Sequence, residues 1–257
     1  MAVPREDGTG GPVKPFALAV ESRRIPESAR GSKGIRPPSL FRGGGGKIEF
    51  LKGVHAIESY ATSVLLTDQR LVLVDTSAED TAATILGHLR KVNVRPKDLT
   101  TVFITHTHPD HVGGLAAVKK EAPNAKVAAH RIEADFIARK KPYTGPPGVL
   151  RHPGTAVDVL LDDKQSHDGL TTIFAPGHTP GNIALLDSSH SLLIAGDAMR
   201  NETGLSPMSD QYNFDPKQHR ASIKKIAAFD FENAIFGHGA PLKDGASRKV
   251  RELAAKL

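Results

Sequence analysis

Short apolar runs separated by glycine, proline and charged residues fill the chain from residue 47 onward. Residues 48–51 and 54–57 flank Lys52-Gly53, and residues 62–66 and 71–74 flank a second polar turn, which predicts two hairpins. Further runs predict strands over residues 101–104, 126–129, 157–161, 171–174, 183–186, 192–194 and 234–236. Apolar residues at helical spacing predict helices over residues 80–92, 114–121, 132–139, 217–228 and 245–256. The predicted strands and helices fall into two successive groups along the chain, which predicts two sheets enclosed between helices.

Residues 1–46 have a different composition, with nine Gly and six Pro. We predict an N-terminal arm over residues 1–46 and a catalytic domain over residues 47–257. Within the arm, the apolar residues 16–20 either add an edge strand or belong to a disordered leader. The arm holds eight Lys and Arg against four Asp and Glu, so it supplies +4 of the net charge of +6. The remaining +2 gives little electrostatic support for a nucleic-acid partner.

Composition excludes several kinds of chemistry. The chain has no cysteine, which rules out disulfides, thiolate metal ligands and a cysteine nucleophile. No apolar run approaches the roughly 18 residues of a membrane span, and residues 16–20 are too few for a secretion signal. We therefore expect a soluble, cytoplasmic protein without a membrane partner.

The densest chemical feature lies directly after the predicted strand 101–104. His106, His108, Asp110 and His111 fall within six residues. Buried imidazole and carboxylate groups are costly to desolvate without a partner, and a divalent metal satisfies all four together. The motif predicts a metal site at the carboxyl end of a strand.

Three later motifs each place one further ligand-type side chain after a predicted strand. His178 lies in Pro-Gly-His-Thr-Pro-Gly, Asp197 in Gly-Asp-Ala and His238 in Gly-His-Gly. The total of five His and two Asp exceeds the three or four protein ligands that one zinc ion needs. It suits two metal ions that share a ligand.

In type and order, these seven residues resemble the signature of the metallo-β-lactamase superfamily, His-x-His-x-Asp-His followed by His, Asp and His. The resemblance covers about residues 47–257 and implies an α/β fold, a four-layer αβ/βα sandwich with the site at one edge between the sheets. It implies that a first metal binds three histidines, that a second binds Asp110 and two histidines, and that one aspartate bridges them. The first group is His106, His108 and His178, the second is Asp110, His111 and His238, and the bridge is Asp197.

By this resemblance, the protein is a metal-dependent hydrolase in which a hydroxide between two divalent ions attacks the substrate, with Asp110 orienting the nucleophile or carrying its proton. We expect zinc, although iron and manganese accept the same ligands. The expected substrate is a small carbonyl compound, namely a lactone, thioester or ester, with weak β-lactamase activity. The alternative is a nuclease or phosphodiesterase of the same superfamily. A monomer and a homodimer both stay open.

Differences between this sequence and known branches of the superfamily narrow the range of expected substrates. The β-lactamase subclasses with a cysteine ligand are excluded, and the remaining subclass usually lacks the bridging aspartate. We find no basic glutathione-binding helical region of the glyoxalase II type after His238. Lactonases place a tyrosine shortly after the bridging aspartate, where this chain has Ala198-Met199-Arg200. Tyr212 is an alternative source of that hydroxyl.

The remaining candidates have a structural and a functional interpretation each. Asp75 either braces the ligand loops or caps a strand, and His130 either starts a helix or faces the cleft. The loops at residues 140–156, with Tyr143, and 199–215 either contact substrate or connect elements at the surface. The second loop offers Met199, Arg200, Met208, Tyr212 and Phe214. We expect surface or packing roles for His55, His88, His152, His167, His190 and His219.

Overall fold

The computed structural model describes residues 49–146 and 152–257. The predicted arm, Ile48 at the start of the first predicted hairpin, and residues 147–151 of the loop 140–156 lie outside the described residues. The division of the chain at residue 46 therefore stays a prediction.

The first sheet has six strands, paired in the order in which they occur in the chain. They are β1 Val54–Ile57, β2 Ser63–Leu66, β3 Val72–Val74, β4 Thr101–Ile104, β5 Lys126–His130 and β6 Val159–Leu161. β1 to β3 form an antiparallel meander, and β3 to β6 are parallel. Val74 pairs with Phe103 in the parallel register, so β3 and β4 end side by side. The residues that follow both strands therefore leave the sheet at the same edge.

The second sheet has five strands in the order β11-β10-β9-β8-β7. They are β7 Ser166–His167, β8 Leu170–Phe174, β9 Ile183–Asp187, β10 Leu192–Ile194 and β11 Asn233–Ile235. Neighbours are antiparallel except β10 and β11, which are parallel. A parallel pair needs a crossover connection, and the chain makes it between residues 195 and 232.

Six α-helices occur in the described ranges: α1 Ala83–Lys91, α2 Pro109–Val112, α3 Leu115–Glu121, α4 Arg131–Ile137, α5 Pro216–Ile226 and α6 Ala246–Ala254. α5 begins where Asp215 accepts a hydrogen bond from Gln218 N and Pro216 takes the first helical position. His130 lies at the N-cap of α4, where its Nδ1 accepts from Ile132 N at 3.3 Å, so of its two interpretations the helix start is supported. No helix in the described ranges is long and apolar enough to cross a membrane.

Three apolar layers hold the sheets and helices together. Alternate residues of the first sheet, such as Leu65, Leu73 and Val102, pack with Ile85, Leu89, Leu115 and Val118 of the helices. The opposite face, with Val64, Val72 and Phe103, packs against Leu170, Ile183, Leu185 and Leu192 of the second sheet. The outer face of the second sheet packs on Ile223, Ile226 and Val250 of α5 and α6. These layers confirm the predicted αβ/βα sandwich.

The sequence predicted most elements to within a few residues and missed the shortest. β7 has two residues and α2 has a single turn, which is too little chain to show an apolar period. In the first predicted hairpin, the described part shows a single antiparallel bridge between Leu51 and Val54.

Candidate metal centre

Strand ends from both sheets deliver the ligand-type side chains to one edge of the sandwich. His106 and His108 follow β4, and Asp110 and His111 lie on the single turn of α2. His178 follows β8, Asp197 lies in a 3-10 turn after β10, and His238 follows β11. The carboxyl ends of four strands thus supply seven side chains, which come from four separate segments of the sequence.

All seven predicted residues come together. Three groups have potential ligand atoms within 4.8 Å of one another: His106, His108 and His178; His106, His111 and Asp197; and Asp110, His111 and His238. Asp197 lies centrally, with its oxygens 3.2 Å from His111 Nε2 and 3.3 Å from the Nε2 atoms of His178 and His238. The first and third groups have the same members as the two ligand sets that the resemblance implies, whereas the second group joins His106 and His111 from different sets. The central position of Asp197 puts its carboxylate between the two sets of histidines.

Hydrogen bonds to one ring nitrogen leave the other nitrogen free for a metal. His111 Nδ1 lies 2.8 Å from Asp75 Oδ2, and His178 Nδ1 lies 3.0 Å from Asn213 Oδ1. His108 uses the opposite nitrogen, since its Nε2 lies 2.7 Å from the carbonyl oxygen of Pro146. These oxygens act as acceptors, so the facing ring nitrogens carry the protons.

The freed atoms fit a divalent ion. The Nε2 atoms of His106, His111 and His178 and Asp197 Oδ1 are buried and make no well-aligned hydrogen bond within the described residues, although Asp197 oxygens lie within 3.3 Å of the His111 and His178 nitrogens. Buried polar atoms are otherwise nearly always hydrogen-bonded. Imidazole nitrogen and carboxylate oxygen are donors that zinc, iron and manganese accept. The donor set therefore matches a metal centre, without distinguishing among these ions.

Asp75 braces two of the ligand positions at once. The residue follows β3 and is buried. Its Oδ1 accepts from Thr105 N at 2.8 Å, and its Oδ2 accepts from Thr105 Oγ1 at 2.8 Å in addition to His111 Nδ1. Thr105 Oγ1 in turn lies 3.1 Å from His106 Nδ1. Of the two interpretations from the sequence, the structure supports the bracing role.

Glu133 links two ligand loops, although no local sequence pattern indicated this role. This carboxylate of α4 is fully buried. It accepts from Thr107 N at 3.0 Å, from Thr179 Oγ1 at 2.7 Å and from Gly181 N at 2.8 Å. Burial raises the pKa of Glu133, although these hydrogen bonds act in the opposite direction. The loops that carry His108 and His178 thus share one anchor.

Asn213 and His219 hold the loop 199–215 against the centre. Asn213 accepts from His178 at Oδ1 and donates from Nδ2 to Met208 O at 3.3 Å. His219 Nε2 accepts from Met208 N at 3.3 Å, and burial lowers the pKa of His219 to about 4. His219 therefore has the packing role expected for it, and it lies directly behind the metal centre.

Without a metal, the pKa values of the histidines in the centre are shifted in opposite directions. Burial lowers the pKa of His108 to about 3. Burial acts in the same direction on His238, but the carboxylates of Asp197 and Asp110 outweigh it and raise the pKa of His238 to about 10. Burial raises the pKa of Asp110, but the neighbouring imidazoles outweigh it and hold the pKa at about 2. The metal-free centre thus holds its protons beside the carboxylates.

Gly237 allows the loop after β11 to lie close to the carboxylate of Asp197 in the loop after β10. A Cβ atom at this position would lie 2.1 Å from Asp197 Oδ1 and 2.8 Å from His111 Cε1. The Gly237 N–H also donates to Gly196 O at 2.8 Å, which joins the loops after β10 and β11. Any side chain at position 237 would displace the central carboxylate.

A cleft of about 360 Å³ opens onto the centre. It is lined by His108, Asp110, His178, Asp197, Arg200, Glu202, Met208, Tyr212 and His238. Three of the five residues proposed from the loop 199–215 therefore reach the cleft. Met199 does not, because it is fully buried in the layer beneath α5 and α6. Tyr143 lies beside the centre, with its hydroxyl 3.3 Å from His108 Nε2.

A two-sheet sandwich with a histidine and aspartate centre at its strand ends is the arrangement of a metal-dependent hydrolase. The chain belongs to the metallo-β-lactamase superfamily, whose family model matches residues 57–238.

Several known proteins are similar to this chain at low identity. The probable metallo-hydrolase YflN of Bacillus subtilis is 26% identical over 86% of this chain and 97% of its own length. An N-acyl homoserine lactonase of Bacillus thuringiensis is 26% identical over 55% of each chain, so the alignment spans about half of that enzyme. YobT of Bacillus subtilis is 33% identical over 47% of this chain and 54% of its own length. A metallo-β-lactamase mutant from Cronobacter sakazakii superposes with a TM-score of 0.65 at 25% identity, covering 80% of this chain and 93% of that chain.

Proposed function

We propose that this chain hydrolyses a small carbonyl substrate, namely a lactone, thioester or ester, with two zinc ions at the centre. His106, His108 and His178 hold the first ion in this proposal, Asp110, His111 and His238 hold the second, and Asp197 contacts both. The observation that carries the proposal is the set of buried nitrogen and oxygen atoms without well-aligned hydrogen bonds that converge on Asp197.

The protein side chains orient the substrate and handle protons. Two divalent ions at such a centre supply a water molecule of lowered pKa and a Lewis acid for the substrate oxygen. Asp110 has 31% of its side chain exposed and is held 3.2 Å from His238 Nε2, so its carboxylate can orient the attacking water or accept its proton. Tyr212 lines the cleft and offers a hydroxyl donor in place of the tyrosine that lactonases carry after the bridging aspartate.

The size and lining of the cleft favour a small acyl compound. Its volume lies at the lower end of the range for small-molecule sites, and Met208 and Tyr212 provide apolar surface for an acyl group. The lactonase relative supports a lactone within this class. A phosphodiester, the alternative from the sequence, has its only support in the basic residues 1–46, which lie outside the described residues.

A substrate panel tests the proposal. We expect the zinc-loaded chain to turn over at least one lactone, acyl thioester or aryl ester with a kcat/KM well above that for any phosphodiester. Asp197→Ala should lose most of this activity. Asp230→Asn, which changes a carboxylate that is 93% exposed and outside the cleft lining, should retain it. Preferential turnover of phosphodiesters would overturn the carbonyl assignment.

A further inference from the structure

His108 is held differently from the other histidines of the metal centre. His111 and His178 are held at Nδ1 by side-chain oxygens, whereas His108 is held at Nε2 by a backbone oxygen. This oxygen is the carbonyl of Pro146, at 2.7 Å. A carbonyl oxygen only accepts, so His108 carries its proton on Nε2 and keeps Nδ1 as its ligand atom. The tautomer of His108 therefore depends on where one carbonyl group lies.

Tyr143 packs between α4 and His108. Its ring lies edge-on to the rings of Phe136 and His108, with centroid distances of 5.6 and 5.7 Å. Its hydroxyl oxygen is 3.3 Å from His108 Nε2, farther than the Pro146 oxygen at 2.7 Å. The hydroxyl group is thus at most a second acceptor for the same proton. The ring is the part of Tyr143 that connects the helix to the metal ligand.

Gly145 brings the backbone of segment 143–146 close to this ring. The residue is buried, and a Cβ atom on it would lie 2.5 Å from Tyr143 Oη and 2.9 Å from Phe214 Cδ2. Gly145 does not have a positive φ, so the close packing alone accounts for a glycine here. The segment is therefore packed against the side chain of its own first residue, and this packing directs the Pro146 carbonyl group toward His108.

We propose that Tyr143 is a positioning residue for the first metal ion. Its ring holds segment 143–146 against His108, so that the Pro146 carbonyl group keeps the proton on Nε2 and leaves Nδ1 to bind the ion. Tyr143 does not line the cleft, so it acts on the metal ligand and not on the substrate. This inference rests on the metal centre of the proposed function and is independent of the substrate class.

The tautomer of His108 in the metal-free chain tests the proposal without an activity measurement. Two-bond proton–nitrogen correlation spectra with isotope-labelled histidine distinguish a proton on Nε2 from one on Nδ1, and His108→Gln identifies the signals of this residue. We expect the Nε2-protonated form in the wild-type chain and in Tyr143→Phe, which keeps the ring. Tyr143→Ala removes the ring and Gly145→Ala displaces it, so both should show a mixture of the two forms.

Zinc affinity gives a second measurement. Loss of the group that orients a ligand histidine weakens metal binding, because the ring no longer presents the correct nitrogen. We expect Tyr143→Ala to weaken binding of the first zinc ion about 10- to 100-fold, and Tyr143→Phe to change it by less than about threefold. Gly145→Ala should fall between these two variants. Competition with a chromophoric chelator measures all three affinities.

Gly87→Ala and Tyr60→Ala are the matched controls. Gly87 lies on α1, where the nearest neighbour of an added Cβ atom would be Arg90 Nη2 at 3.7 Å. Tyr60 is 54% exposed and does not line the cleft. Both variants should keep the wild-type tautomer of His108 and the wild-type zinc affinity. Thermal unfolding of every variant checks that the chain remains folded.

The outcomes distinguish this inference from the proposed function. If Tyr143→Ala kept the Nε2-protonated form and bound zinc as the wild-type chain does, Tyr143 would have no positioning role. If Tyr143→Phe behaved like Tyr143→Ala, the hydroxyl group would hold His108 and the inference about the ring would be wrong. If the wild-type chain bound no zinc, the proposed function would fail, and the tautomer in the metal-free chain would still decide the inference.

Discussion

A single carboxylate at the end of β3 determines how two histidines present their nitrogens. Asp75 binds His111 directly and reaches His106 through Thr105. Its backbone has a φ of 59°, in the left-handed region that Asp and Asn tolerate better than most residues. An asparagine at this position therefore keeps the backbone and changes the hydrogen bonding.

Asp75→Asn should weaken metal binding by about 10- to 100-fold, as is usual when a partner of a ligand histidine is lost. If the amide nitrogen faces His111 Nδ1, it cannot accept the proton that Nδ1 donates, so the tautomer with a free Nε2 is no longer favoured. Competition with a chromophoric chelator measures the affinity. Asp244→Asn is the matched control, because Asp244 is exposed and has a φ of 58°. Unchanged affinity in Asp75→Asn would contradict the bracing role.

The sequence predicted the ligand-type residues better than their supports. His106, His108, Asp110 and His111 share one short motif whose density requires an explanation. Glu133 and Asn213 contact the ligand loops only through folding, with partners 26 to 48 and 5 to 35 residues away. A lone glutamate in a helix or a lone asparagine in a loop carries no local pattern that shows such a contact.

At the scale of elements, α4 acts as a clamp between the loop after β4 and the loop after β8. Its one contribution to the centre is Glu133, which accepts from two backbone N–H groups and one hydroxyl. The two loops come from different sheets. The helix therefore joins the two halves of the sandwich at the metal centre.

Glu133→Ala should lower the free energy of unfolding by about 3 kcal/mol or more, because three buried donors lose their acceptor at about 1–3 kcal/mol each. It should also weaken metal binding, since both ligand loops lose their anchor. Urea unfolding of the metal-free chain gives the first quantity, and chelator competition gives the second. Glu121→Ala, an exposed glutamate at the end of α3, is the control. The clamp role fails if the two variants unfold alike.

Elements with a clear apolar period were predictable, and those set by tertiary contacts were not. Strand β4 has the predicted bounds, because its four residues form a buried run between polar segments. β7 exists because Ser166 and His167 pair with Thr171 and Leu170 across a tight turn. α2 is a single turn that starts at Pro109, and its residues His111 and Val112 are buried. Neither shows a pattern of its own.

At the scale of the whole molecule, the sandwich brings strand ends from two sheets to one edge and so concentrates charge there. In the metal-free chain, the carboxylates of Asp197 and Asp110 outweigh burial and raise the pKa of His238 to about 10. Burial is likewise outweighed at His111, whose pKa lies well above its usual value. Below these pKa values, metal binding must displace protons.

Metal affinity should therefore rise with pH. For each proton displaced, the apparent association constant should increase about tenfold per pH unit while the pH stays below the pKa of that histidine. Zinc titrations against a competing chelator at pH 6.5, 7.5 and 8.5 measure the slope. An affinity independent of pH over this range would contradict the protonated metal-free centre.

We propose that seven side chains from two sheets form one centre for two metal ions, with Asp197 between them. The most direct test is the number of zinc ions bound per chain, measured by mass spectrometry of the elements after the metal-free chain is saturated and freed of excess zinc. We expect two ions for the wild-type chain and fewer for Asp197→Ala. A single ion in the wild-type chain, or two retained ions in Asp197→Ala, would contradict the claim.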